Sequence, residues 1–149
     1  MIDRRKRKLA IIDALRRCEI YSEYQLSWLE QAAEIYNSSR LPFYIQAGPR
    51  GECFQNAEIV EEKHRLPLVA GFAATMTSLT PLPHSWNQVD CLRAIDTTWT
   101  YGPGTIYLGV TSDLRIEIIA DMHETWKRKY EIVEHGRFLK LRRPPMISL

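Results

Sequence analysis

The chain has 149 residues, 45% of them hydrophobic and 26% charged, with a formal net charge of +2. That length and balance fit one soluble globular domain, residues 1–149, long enough to bury a proper core. No apolar run approaches the ~20 residues that span a bilayer, and no signal-like apolar stretch follows the basic N-terminus, so a cytoplasmic protein away from membranes is expected.

Arg4-Arg5-Lys6-Arg7-Lys8 opens the chain, and Arg137, Lys140, Arg142 and Arg143 lie near its end. Without interleaved aromatics or a nucleic-acid motif, these read as a solvated helix start and a basic tail, and no nucleic-acid partner is expected. Asp3 to Tyr36 lacks Pro and Gly and carries two apolar stripes at helical spacing, Leu9-Ile12-Leu15 and Tyr24-Trp28-Ala32-Ile35. Ser22 with Gln25 forms a capping box. The spacing predicts two helices, or one kinked helix, within residues 1–40, ended by Asn37-Ser38-Ser39.

Leu41 to Gln46 is a short apolar stretch, and Gly48-Pro49-Arg50-Gly51 is a turn. A helix is predicted from Cys53 to Lys63. Strands are predicted over Leu68–Ser78, His84–Val89 and Ala94–Thr98, and a further strand or extended segment over Thr105–Val110, with breaks at Pro81, Pro83 and Gly102-Pro103-Gly104. In the C-terminal region, 111–149, Ile116 to Tyr130 reads as a helix, with Ile119, Met122 and Trp126 on one face. An edge strand at Ile132–Leu141 and a loose Pro144-Pro145 tail follow. The class is α+β: N-terminal helices and a central helix packed on an antiparallel sheet, with residues 41–110 as the core.

Cys18, Cys53 and Cys91 are odd in number and scattered, and no Cys-x-x-Cys pair is present. Neither a disulfide framework nor a metal or other cofactor is expected. Cys53 follows a Gly-containing turn and starts a helix, where free N–H groups and the helix dipole stabilise a thiolate and can hold an oxyanion. Cys18 falls in mid-helix and Cys91 in a turn, so both read as inert. His84 begins a strand within His84-Ser85-Trp86-Asn87, whereas His64, His123 and His135 read as surface or capping residues. Asp96 interrupts an apolar strand, where an unpaired carboxylate would be costly. A thiol, an imidazole base and a carboxylate to orient it are the parts of an activated nucleophile.

Whether these parts can meet depends on register, because side chains alternate along a strand. A two-residue turn at Cys91-Leu92 puts Asp96 opposite Asn87, on the face His84 does not use. A three-residue loop, Asp90-Cys91-Leu92, puts it opposite Trp86 and diagonal to His84. The turn lacks an Asn-Gly-type pair, which permits the second register without requiring it.

The order of Cys53, His84-Ser85-Trp86-Asn87 and Asp96-Thr97-Thr98-Trp99 resembles the transglutaminase-like core of the papain-like cysteine hydrolase superfamily. That resemblance spans Gly48 to Val110, with Ser85 and Thr97 standing where the family more often has Ala and Pro. It implies a nucleophile-bearing helix on an antiparallel sheet and a Cys53-His84-Asp96 catalytic triad. The Cys53 N–H is the first oxyanion donor by position. Gln46 resembles, by location, the family's upstream side-chain amide, and Tyr44 is an alternative. Trp86, Asn87 and Trp99 complete the candidate substrate-binding set, the two tryptophans as walls that exclude water. The expectation is a cysteine-dependent acyl-transfer enzyme (protease, deamidase or transglutaminase-like) acting on a peptide or glutamine carboxamide of a protein substrate. Small size resembles phage or prophage proteins and would suit an accessory enzyme acting on a host protein. The competing readings are a catalytically silent binding module or inhibitor, and nucleic-acid binding through Arg4 to Lys8.

Overall fold

A computed structural model describes residues 3–75, 79–100, 104–130, 133–134, 137–138 and 145–148. In chain order its elements are α1 (Arg4–Arg17), α2 (Glu23–Ala32), β1 (Glu34–Ser38), α3 (Cys53–His64), β2 (Leu68–Ala74), β3 (Leu82–Val89), β4 (Arg93–Ile95), β5 (Ile106–Thr111), α4 (Ile116–Tyr130), β6 (Val133–Glu134) and β7 (Arg137–Phe138).

Asp3 caps α1 by accepting from the Arg5 N–H, and the chain leaves α1 at Glu19, whose φ is 57°. The Ser22–Gln25 capping box forms in both directions and starts α2, so two helices stand here and not one kinked helix. Part of the basic tract holds the helices in place: Arg4 Nη1 donates to the Ile35 carbonyl at 2.9 Å and Lys8 Nζ to the Glu30 carbonyl at 2.6 Å.

The expected helix through Tyr36 stops at Ala32, and Glu34–Ser38 is a strand instead. Ile35 and Tyr36 are both buried, on opposite faces, because β1 pairs antiparallel with β5 and parallel with β4. That pairing closes the sheet into a barrel of order β1-β4-β3-β2-β5. The sheet is therefore mixed, with one parallel pair, and not antiparallel throughout, which corrects the expectation from sequence. The α+β class holds, in the form of four helices and a small five-stranded barrel among the described residues.

Alternation along the strands gives the barrel two apolar faces. Leu68, Ala70, Phe72, Leu108 and Val110 join Ile35 in the outer core, against Ile11, Leu15, Leu26 and Leu29 of the N-terminal helices and Ile119 and Met122 of α4. Tyr36, Val69, Ala73, Trp86, Ala94 and Tyr107 form a second cluster on the opposite face. Two glycines let the strands approach. A Cβ on Gly71 would lie 2.0 Å from the Leu108 carbonyl oxygen, and one on Gly109 would lie 2.7 Å from both the Ala70 oxygen and the Trp86 ring.

The β3–β4 connection is the three-residue loop Asp90-Cys91-Leu92, with Asp90 and Leu92 at φ 51° and 54°. Its register pairs Asn87 with Ile95 and Val89 with Arg93, so Asp96, one step further, comes opposite Trp86 and on the face of His84. β4 ends at Ile95 and not at Thr98. The reason is Asp96 itself, whose Oδ1 accepts from the Thr98 and Trp99 N–H groups and bends the chain out of the ladder.

β2 ends at Ala74, while residues 76–78 of the predicted strand lie outside the described residues, as do Gly102 and Pro103. α4 spans the predicted Ile116–Tyr130. In place of an edge strand of the main sheet, β6 and β7 pair with each other; the rest of 132–141, and Pro144, lie outside the described residues. The tail is not loose at Ile147, which is buried in the outer core and donates its N–H to the Leu79 carbonyl at 2.6 Å.

Candidate active site

Cys53 owes its position to the start of α3. Gly51 adopts φ +80°, a turn conformation open to glycine, and Glu52 offers no side-chain cap, so the first N–H groups of α3 are not taken by a capping carboxylate. One turn on, Asn56 is 4% exposed and ties three segments together. Its Nδ2 donates to the Pro49 carbonyl at 2.9 Å and to Thr98 Oγ1 at 2.7 Å. Gly48 packs so closely on Asn56 that a Cβ would sit 2.2 Å from Oδ1, and its N–H donates to the Thr97 carbonyl at 2.9 Å. On the other side Asn87 Nδ2 donates to the carbonyls of Ala57, at 2.9 Å, and Leu66, at 3.1 Å, holding α3 against β3.

His84 and Asp96 are 1% and 6% exposed and meet through His84 Nε2 and Asp96 Oδ2 at 2.7 Å. Tyr107 O–H donates to the same Oδ2 at 2.9 Å, while Oδ1 takes the Thr98 and Trp99 N–H groups at 2.9 and 2.8 Å. The buried carboxylate is thus hydrogen-bonded on both oxygens. Trp99 stacks on the imidazole with centroids 3.8 Å apart and planes 15° apart. Trp86 lies further along the same stack, at 6.2 Å and 23°.

The electrostatics couple the three groups. Burial raises the Cys53 pKa, but a hydrogen bond and charge from His84, with the N–H groups of Ser85 and Phe54, outweigh it and hold the thiol below its ordinary value. Burial lowers that of His84, but the hydrogen bonds to Asp96 and Cys53 and then their charges raise it to about 9. Asp96 is pushed up by burial and more strongly down by His84 and its two N–H donors, so it stays ionised. Cys53 and His84 thus each favour the other's charged form, and Asp96 favours the imidazolium. Tyr107 is raised by burial and the Asp96 charge, which keeps its proton available for donation.

Cys53, His84 and Asp96 are brought together; the other residues singled out from sequence divide. Trp99 covers the imidazole. Trp86 is 1% exposed and packs among Tyr36 and Tyr107, so it is core and walls no opening. Asn87 is committed to the carbonyls under α3 and offers nothing to an oxyanion. Gln46 and Tyr44 line a groove of about 500 Å³ on the Asn56–Ile59–Lys63 flank of α3. Cys18 is buried and bonded to the Ala14 carbonyl, and Cys91 is an exposed free thiol. His64 sits by the Tyr44 ring. His123 bonds the Gly71 carbonyl, and burial lowers its pKa to about 4. His135 lies outside the described residues.

Asn56, Tyr107, Gly48 and the Ser85 N–H were not legible as site residues. Asn56 carried one usable signal, a buried-face position one turn beyond a helix-starting cysteine. Tyr107 carried none, since only barrel closure brings β5 to Asp96. Searches with the chain find no matching family model, curated protein or solved structure.

Proposed function

We propose that the chain is a cysteine-dependent acyl-transfer enzyme in which Cys53 is the nucleophile, His84 the acid–base and Asp96 its orienting carboxylate. The observation that carries this reading is the buried His84–Asp96 pair, 2.7 Å apart, whose imidazole and charge hold the thiol at the start of α3 below its ordinary pKa. A structural cysteine has no need of that arrangement. With Nε2 engaged by Asp96, Nδ1 is the nitrogen left to exchange a proton with the thiol. A helix-starting cysteine beside a strand-borne histidine also suits a papain-like, transglutaminase-like site, here carried on a barrel.

The Cys53 thiolate attacks the carbonyl carbon of a peptide or carboxamide group, forming an S–C bond and an oxyanion. N–H groups at the start of α3, that of Cys53 first among them, would hold that charge. His84 gives its proton to the departing nitrogen as the C–N bond breaks, leaving an acyl-enzyme and ammonia or an amine. Neutral His84 then takes a proton from water or an incoming amine, whose attack breaks the S–C bond and regenerates the thiolate.

Alkylation tests this directly, with exposed Cys91 as an internal reference. At pH 6 iodoacetamide is expected to label Cys53 at least about tenfold faster than Cys91, followed by peptide mass spectrometry, and His84→Ala is expected to abolish the difference. Equal rates in the unaltered protein sink the enzyme reading. The rate with an acyl substrate should be bell-shaped. It rises as Cys53 loses its proton below the usual thiol range and falls near pH 9 as His84 loses the proton it must give to the leaving group.

A further inference from the structure

Four of the large hydrophobic side chains that the described surface leaves open fall on one short stretch around the candidate nucleophile. Phe43 is 99% exposed, Tyr44 60%, Ile59 58% and Phe54 49%. Tyr44 and Ile59 both line the groove of about 500 Å³ that runs along α3, and the Tyr44 ring lies 5.8 Å from that of His64. Its near end is formed by Pro49, Asn56 and Thr97, the segments that also position Cys53 and the Asp96 turn. Its far end is formed by Lys63 and His64. Among the described lining residues there is no carboxylate, and Lys63 is the one ammonium.

We propose that this groove binds the acyl-donor substrate as an extended polypeptide segment that bears an apolar side chain over Tyr44 and Ile59 and a carboxylate against Lys63. The inference rests on the acyl-transfer reading and names its substrate class: a protein or peptide and not a small free amide. The spacing follows from geometry. Lys63 lies about ten helical positions beyond Cys53, or ~15 Å at ~1.5 Å per residue. An extended chain covers ~3.3 Å per residue, so the carboxylate falls about four or five residues from the reacting carbonyl, with the apolar residue between them. An apolar cleft beside an ammonium, with no carboxylate among its described lining residues, favours that pairing over basic or fully polar segments.

The test uses Cys53→Ala protein, which binds without reacting, and fluorescein-labelled, glutamine-centred peptide pools read by anisotropy. One pool carries leucine two or three residues, and aspartate four or five residues, to either side of the glutamine. Matched pools replace the aspartate by lysine or the leucine by serine. The leucine–aspartate pool is expected to bind about fivefold more tightly than the lysine pool, a modest ratio because Lys63 is solvent-exposed. Adding Lys63→Glu should invert that order, and adding Ile59→Asp should weaken all leucine pools by about tenfold. Both side chains are exposed, so far-UV circular dichroism should be unchanged. Equal binding of the pools, or an order that Lys63→Glu leaves intact, overturns the proposal. So does a concentration-dependent dimer that Ile59→Asp dissolves, since a second copy would then fill the groove. Thiol activation plays no part in this readout, so its failure is separable from failure of the iodoacetamide assay.

Discussion

Asp96 Oδ2 accepts from two side chains at once, His84 Nε2 at 2.7 Å and Tyr107 O–H at 2.9 Å, and its other oxygen is held by two backbone N–H groups. The substitution Asp96→Asn keeps the shape but reverses this logic. An amide in that place must keep its oxygen toward Thr98 and Trp99, which turns its NH2 toward His84. The imidazole must then present a bare Nε2 and carry its proton on Nδ1, the nitrogen needed to take the thiol proton. The expected result is at least about 10²-fold slower alkylation of Cys53 at pH 6. Stability follows a defined window. Asp96, whose folded pKa is lowered, contributes above about pH 4 and loses that contribution as pH falls through its folded value. His84, raised to about 9, contributes fully below about pH 6.5 and loses it as pH climbs through 9. Urea midpoints of the two proteins should therefore differ most near pH 5.5 and converge toward pH 9.5. A gap that is constant with pH would mean that His84 and Asp96 are not paired as an ion pair in solution. Tyr107→Phe leaves Oδ2 with one donor instead of two and is expected to cost about 1.5–3 kcal/mol in urea unfolding.

Between elements, the decisive quantity is the register of β3 against β4. Alternation along a strand made two registers readable from sequence, and the three-residue loop selects the one that unites His84 with Asp96. Shortening that loop by deleting Cys91 should turn Asp96 to the Asn87 face, so that fast alkylation of Cys53 is lost, while Cys91→Ser leaves it intact. Equal rates in the two variants would show that the register does not govern the site. What was readable here was local: the Ser22 capping box, the helix starting at Cys53, and the period of α4. β1 was not, because the Tyr24-Trp28-Ala32-Ile35 stripe continues at helical spacing past the helix end. Only pairing with β4 and β5, distant in sequence, makes Ile35 and Tyr36 a strand. The early end of β4 escaped for a related reason, since the carboxylate that suggested a catalytic role also forms the turn that stops the strand.

Closure of the barrel joins stability and site in one construction, because each strand that carries a site residue is also part of the closed sheet. Gly71 shows the consequence. It pairs with His84 on one side and Gly109 on the other, and its carbonyl receives His123. A methyl group there would stand 2.0 Å from the Leu108 oxygen, a backbone atom with little freedom to retreat, so β2 and β5 would have to part. Gly51 makes the contrast, since a Cβ there meets nothing within 4 Å and the cost is confined to its φ of +80°. Gly71→Ala is therefore expected to lower unfolding stability by about 3 kcal/mol, at the upper end for overpacking. It should also slow Cys53 alkylation at pH 6, because β3 moves with β2. Gly51→Ala should cost about 1 kcal/mol. Urea denaturation of both variants, with the alkylation rate measured in parallel, separates these outcomes. A Gly71→Ala protein that is destabilised yet labels at the unaltered rate would show that the site is held by α3 and its loops, independently of the barrel wall behind His84.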